Sequence, residues 1–196
     1  MADTEMTTAA AAKPPRYCAN FCEENIWQLA QHIDNPCRVV FISNPNRQVA
    51  FWQQQSAPLG EPLIWDYHVV LFEQRSSQVL CHDFDSRLSS GLAAVDYLSA
   101  SFPQADNVMP QYQPIFKLID KDRYLNGFAS SRQHMRRDQQ WLSPPPSWPC
   151  IGFSANRSDN LQQFIDSNDK QWGECYSLTA LLATLCEPAP FNDSTS

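Results

Sequence analysis

The chain has 196 residues, 43% of them apolar and 18% charged, which suffices for one domain with a real core and is short for two. A formal charge of −7 argues against a nucleic-acid partner, which would favour a basic face. Without 18 consecutive apolar residues anywhere, no membrane-spanning helix is expected.

The opening "MADTEMTTAAAAKPPRY" has acids where a signal peptide carries a basic region, and its Ala run is too weakly apolar for a targeting core. Seven cysteines without framework spacing predict free thiols in a reducing compartment. Both features point to the cytoplasm, with the nucleus as a second compartment. Residues 1–15 read as a disordered tail, 16–187 as one catalytic domain and 188–196 as a second tail. Nothing between the tails is long enough to be a linker.

In chain order, a helix is expected from Phe21 to Ile33, with Ile26, Leu29, Ala30 and Ile33 as its apolar stripe. Asn20 is placed to cap it, and Glu23 to complete a box-like start. "RVVFIS" (38–43) and "VAFWQQ" (49–54) read as strands around the turn "NPNR". "PLIWDYHVVLFE" (62–73) reads as one buried strand, "EQRSSQ" as a turn and "VLCHDF" (79–84) as the returning strand. Helical spacing through Leu92, Val95 and Leu98 marks "GLAAVDYLSASF", a strand follows at "YQPIFKLID", and short helices close the chain at "NLQQFIDS" and "SLTALLATLC". This order lacks regular strand–helix alternation. It predicts an α+β fold, an antiparallel sheet packed with helices.

Two ionisable residues in one buried strand demand an explanation. Side chains alternate, so Asp66 and His68 are expected on one face. A tight turn centred on Arg75 and Ser76 would pair Phe72 with Val79, Val70 with Cys81 and His68 with Asp83. Asp83 would then hold the imidazole and keep it basic. On the hairpin alone, a purely structural His–Asp pair explains the pattern as well.

Cys22 shifts the balance. It falls in the first helical turn, where unpaired N–H groups and the helix dipole favour a thiolate and could hold an oxyanion. A thiol at a helix start, a histidine on a strand and an orienting aspartate form a cysteine nucleophile site. The alternative for Cys22 is a small buried side chain.

"CEENIW" followed by "WDYHVV" resembles the protein N-terminal glutamine amidohydrolase family. Further matching strings are "AFWQQ", "HDFD", "DRYLNGFASSRQHM", "PPPSWPC" and "WGECYSL", together covering about residues 16 to 186. The resemblance implies a papain- or transglutaminase-like fold with a catalytic Cys at a helix N-terminus. It places the triad on Cys22, His68 and Asp83, with His82 standing where an aromatic residue would be expected. It also implies hydrolysis of an N-terminal Gln side chain to Glu and ammonia, through a thioester, ahead of arginylation and degradation by the N-degron pathway. Substrates would be proteins or peptides with a free N-terminal glutamine, the enzyme a monomer without cofactor or metal.

A free N-terminus needs an anion for its α-ammonium, and Glu23 and Asp66 are the candidates. Competing readings are a zinc site, a cysteine protease or deubiquitinase, and a peptide-binding module offering "SPPPSWPC" as ligand. Cys18, Cys22, Cys81 and His82 lack paired CxxC spacing, which disfavours zinc. Residues alone do not separate side-chain from backbone amide hydrolysis; the resemblance does. "SSRQHMRR" reads as a solvated basic face, in which His134 has no assigned role.

Overall fold

The computed structural model describes residues 16–103, 107–154, 157–188 and 190–191. The expected tail over 1–15 lies outside them.

The elements are α1 (Cys22–Ala30), β1 (Cys37–Ser43), β2 (Val49–Phe51), β3 (Leu63–Trp65), β4 (Tyr67–Arg75), β5 (Gln78–His82), β6 (Leu92–Ala93), α2 (Ala94–Ser101), β7 (Ile115–Asp120), α3 (Lys121–Gly127), β8 (Arg136–Arg137), β9 (Gln140–Trp141), α4 (Leu161–Ile165), β10 (Glu174–Tyr176) and α5 (Leu178–Leu185). Single 3-10 turns occur at Pro110–Tyr112 and Gln133–Met135. Six strands form one antiparallel sheet in the order β10-β7-β1-β4-β5-β6. The α+β expectation holds, and among the described residues no helix is long and apolar enough to cross a membrane.

β1 and β4 are central and buried almost throughout, so their alternation divides two cores rather than core from solvent. Val39, Phe41, Val69 and Leu71 face α1, α3 and α4, packing on Ile26, Tyr124 and Phe164. Val40, Ile42, Val70 and Phe72 face α2 and α5, packing on Leu98, Leu181 and Leu185. Hydrophobic burial on both faces makes this pair of strands the rigid platform of the molecule.

Several expectations need correction. β2 does not pair with β1 across "NPNR"; it pairs with β3 in a separate two-stranded sheet. The stretch 62–73 is not one strand, because the chain bends at Asp66, whose Oδ1 accepts the Tyr67 backbone N–H at 2.9 Å. "GLAAVDYLSASF" opens as β6, and α2 buries Ala94, Tyr97, Leu98 and Ser101 while Val95 is exposed. The segment read as a C-terminal tail contributes Phe191 to the core, with the Arg38 guanidinium 5.4 Å over its ring.

The hairpin register also differs. Arg75 pairs with Gln78 around a two-residue turn at Ser76 and Ser77, with Ser76 at φ 51°, and Phe72 faces Cys81 rather than Val79. The slip is by two residues, so every side chain keeps its face.

Gly173, entering β10, lies so close to β7 that a Cβ there would fall on the Leu118 carbonyl. Backbone cannot move aside as a side chain can. Gly173→Ala should therefore destabilise the fold by about 1–3 kcal/mol or more, read as a lower urea midpoint.

Candidate functional site

His68, on β4, is fully buried, and its Nε2 is 2.8 Å from Asp83 Oδ1. β4–β5 pairing ends at Leu71 and His82, and Asp83 has already left the strand. The contact is thus diagonal, beyond the last ladder pair, rather than directly across. Asp83 also accepts the Tyr97 hydroxyl at 2.9 Å, the Asp85 backbone N–H at 3.0 Å and the Gln54 side-chain amide at 3.4 Å.

Burial pushes the Asp83 carboxyl up, but His68 and these donors outweigh it and hold the group below its usual range. For His68, burial opposes the charged form, yet Asp83 outweighs it and raises the imidazole. The two shifts agree in sign: each partner favours the charged form of the other. With Nε2 engaged, Nδ1 is left buried and without a hydrogen-bond partner.

Several motif residues wall this histidine. The Trp65 ring stacks on it at 5.3 Å, and Phe51 meets it edge-on at 5.5 Å. Trp65 Nε1 donates to Gln54 Oε1 at 3.1 Å, coupling the ring to Asp83 through Gln54. Neither Tyr97 nor Gln54 stands out in the sequence, although Gln54 falls within the string "AFWQQ".

Cys22 is the first residue of α1, and its sulfur lies at the backbone N–H of Val69, the residue after His68. The expected cap is absent. Phe21 occupies the N-cap position, and Asn20, at φ 66°, donates instead to Ser143 Oγ at 3.2 Å. Nor is Glu23 a capping acid. Its carboxylate is fully buried, with Oε2 accepting the Tyr67 hydroxyl at 3.0 Å and the Cys22 thiol at 3.7 Å. The thiol is also not lowered as expected: burial, then Glu23, push it well up, with the Val69 N–H pulling the other way. Low dielectric beside an anion outweighs the helix start.

A cavity of about 360 Å³ reaches this thiol, lined by Trp65, Asp66, Tyr67, His134, Met135 and Leu142 among others. Its size suits a small side chain and its attached backbone. Asp66 is exposed on this wall, separated from buried His68 by the bend, so the two do not share one strand face. Among the described residues, His68, Asp83 and Asp85 form the cluster able to offer three ligand atoms to a metal. The first two already bond each other directly, and Asp85 Oδ1 accepts the Tyr17 hydroxyl at 2.7 Å.

Only part of the "SSRQHMRR" run is a solvated face: Gln133, Arg136 and Arg137 are exposed, whereas Ser130 and Arg132 are buried. Arg132 is buried and forks onto Glu24, Nε to Oε1 and Nη2 to Oε2, both at 2.7 Å. Trp148 Nε1 donates to Glu24 Oε2 at 2.6 Å, and Arg132 also donates to the Pro146 and Trp148 carbonyls. Tyr124 donates to the Glu23 carbonyl at 2.8 Å. The strings around residues 124–135 and 144–150 therefore converge on the first turn of α1. His134 reaches the same place, with Nε2 3.4 Å from Glu23 Oε1 and 3.3 Å from the Tyr67 hydroxyl.

Because Glu24 is wholly enclosed, Arg132→Met should cost about 3–5 kcal/mol by stranding its charge. Glu24→Gln combined with Arg132→Met should cost clearly less than that single change. Urea unfolding of the three variants checks the ordering.

The model of the family described as N-terminal glutamine amidase matches residues 17–185. Three similar proteins are named protein N-terminal glutamine amidohydrolase. The one from Homo sapiens is 38% identical over 182 residues, 86% of this chain and 88% of that protein. The one from Bos taurus is 39% identical over 181 residues, 85% and 87% of the two chains. The one from Danio rerio is 35% identical over 173 residues, 83% and 85%. Matched along nearly its whole folded length, this chain belongs to the N-terminal glutamine amidase family.

Proposed function

We propose that this protein hydrolyses the side-chain amide of an N-terminal glutamine, giving N-terminal glutamate and ammonia. The observation that carries the reading is the buried His68–Asp83 pair on the strand whose next residue, Val69, offers its N–H to a helix-start thiol at the end of a small cavity.

The steps follow from where protons sit. At rest Cys22 is a neutral thiol, so attack needs a base, and the unpartnered Nδ1 of His68 is the nitrogen available. As that nitrogen takes the proton, the sulfur bonds to the glutamine Cδ and the carbonyl becomes an oxyanion. The first N–H groups of α1 have no acceptor within the helix and stabilise it. Collapse breaks the Cδ–N bond while the imidazolium protonates the leaving ammonia, and a γ-glutamyl thioester remains. A water deprotonated by His68 then attacks the thioester and releases glutamate and the thiol. Asp83 keeps the imidazole in one tautomer and stabilises its charged form throughout.

Glu23 and Asp66 supply the negative charge for the substrate's α-ammonium. A glutamine α-nitrogen lies four bonds from Cδ, roughly 5 Å when extended, and Glu23 is within that reach of the thiol. The expected setting is a monomer in the cytoplasm and nucleus, its product entering the N-degron pathway.

Ammonia release from peptides beginning with Gln, Asn or acetyl-Gln, or carrying Gln internally, tests the reaction. Only the free N-terminal Gln peptide should react, and Cys22→Ala should abolish turnover. Asp83→Asn should lower kcat by about 10³–10⁴ while the protein stays folded. Backbone cleavage in place of ammonia release would make this a peptidase.

A further inference from the structure

Glu23 has two unlike oxygens. Oε2 is engaged by the Tyr67 hydroxyl and the Cys22 thiol, whereas Oε1 is buried without a hydrogen bond. Facing Oε1 at 3.4 Å is Nε2 of His134, whose side chain is 18% exposed and lines the cavity that ends at Cys22. The Tyr67 proton is committed to Glu23, so its oxygen is an acceptor at 3.3 Å from the same Nε2. Both neighbours are acceptors, which assigns the donor hydrogen to Nε2. Nδ1 of His134 is buried with no partner. The remaining oxygen of a fully enclosed anion is thus faced by a single imidazole N–H, carried on a residue that lines the cavity.

Resting on the N-terminal glutamine reading above, we propose that His134 is the specificity gate of the α-ammonium subsite. Its Nε2–H occupies Glu23 in the empty enzyme, and the substrate's ammonium takes that place as the ring moves aside. An acetylated or internal glutamine has no cation to replace the imidazole and would leave Glu23 buried and uncompensated. A free N-terminus restores the charge pairing at the same oxygen. The exchange explains why a binding anion can be wholly inaccessible in the empty protein.

The gate depends on pH. The groups facing His134 are Glu23 from α1, Tyr67 and Asp66 at the β3–β4 corner, and Asp159 from the loop before α4. Arg47 and Cys22 lie on the same cavity. Burial works against the charged ring, but Glu23, with Asp159 and Asp66 behind it, raises His134 above the ordinary histidine value. Protonated His134 holds Glu23 more firmly than neutral His134 does. Affinity for the substrate ammonium therefore falls as pH drops through the His134 titration, and KM rises by up to about tenfold per pH unit.

Nuclear magnetic resonance titration of His134 in Cys22→Ala protein tests the exchange without turnover. Adding a Gln-initiated peptide should lower the His134 pKa, because the ammonium removes Glu23 as its partner, while the acetyl-Gln peptide should leave it unchanged. An unmoved His134 titration with the free peptide at saturating concentration, or no binding of that peptide, overturns the proposal. In active protein, His134→Asn should flatten the low-pH rise in KM and leave the pH profile of kcat in place; an unaltered KM profile also overturns it. A shifted titration in a protein that releases no ammonia would preserve the gate and refute the amidohydrolase reaction.

Discussion

The first turn of α1 buries Glu23, Glu24 and Asn25 consecutively, and the rest of the site depends on how those three are satisfied. Enclosed carboxylates are costly unless they are paired or hydrogen-bonded. Glu24 is met by the Arg132 fork and the Trp148 indole, and Asn25 bonds both the N–H and the carbonyl of Cys18 at 2.8 Å. Glu23 is met by Tyr67 and, at longer range, by Cys22 and His134. Three remote segments, at Tyr67, at Arg132 and His134, and at Trp148, are thereby drawn to one helical turn. Cys22 is held in place by its neighbours' electrostatics as much as by packing.

A second constraint lies in the sheet. Because β5 stops pairing at His82, the early residues of β4 are free on that side, and the gap admits both the Asp83 carboxylate and the Cys22 sulfur. The aromatic walls of Trp65 and Phe51 exclude water from the imidazole, which strengthens its bond to Asp83. The platform itself is rigid because β1 and β4 are covered on both faces. Preorganisation here comes from the fold's most buried strands rather than from a loop.

In the proposed reaction, recognition and activation share one group. Glu23 is the largest charged influence raising the Cys22 thiol, second only to burial. A substrate ammonium paired with Glu23 offsets that influence, so binding the correct N-terminus eases loss of the thiol proton to His68. A ligand without the cation leaves the thiol protonated as well as the subsite unfilled. Selectivity and reactivity would then rise together, since binding energy is used at the reacting atom.

The primary sequence by itself determined the α+β class, the helix start at Cys22 and the strand carrying His68, because amphipathic period and β-branched runs are local properties. It also made the His68–Asp83 contact legible despite a two-residue error in the turn, since a slip by two preserves the face. Long motif strings made the family legible. What only the tertiary structure decided were the partners of charges. Arg132 and His134 lie in a polar run with no period, and nothing local says that one enters the core against Glu24 or that the other covers Glu23. Likewise Asn20 looks like a cap in sequence, yet its side chain is taken by Ser143, more than a hundred residues away. Burial of a charge is set by which distant segments close over it, and that is a property of the assembled fold.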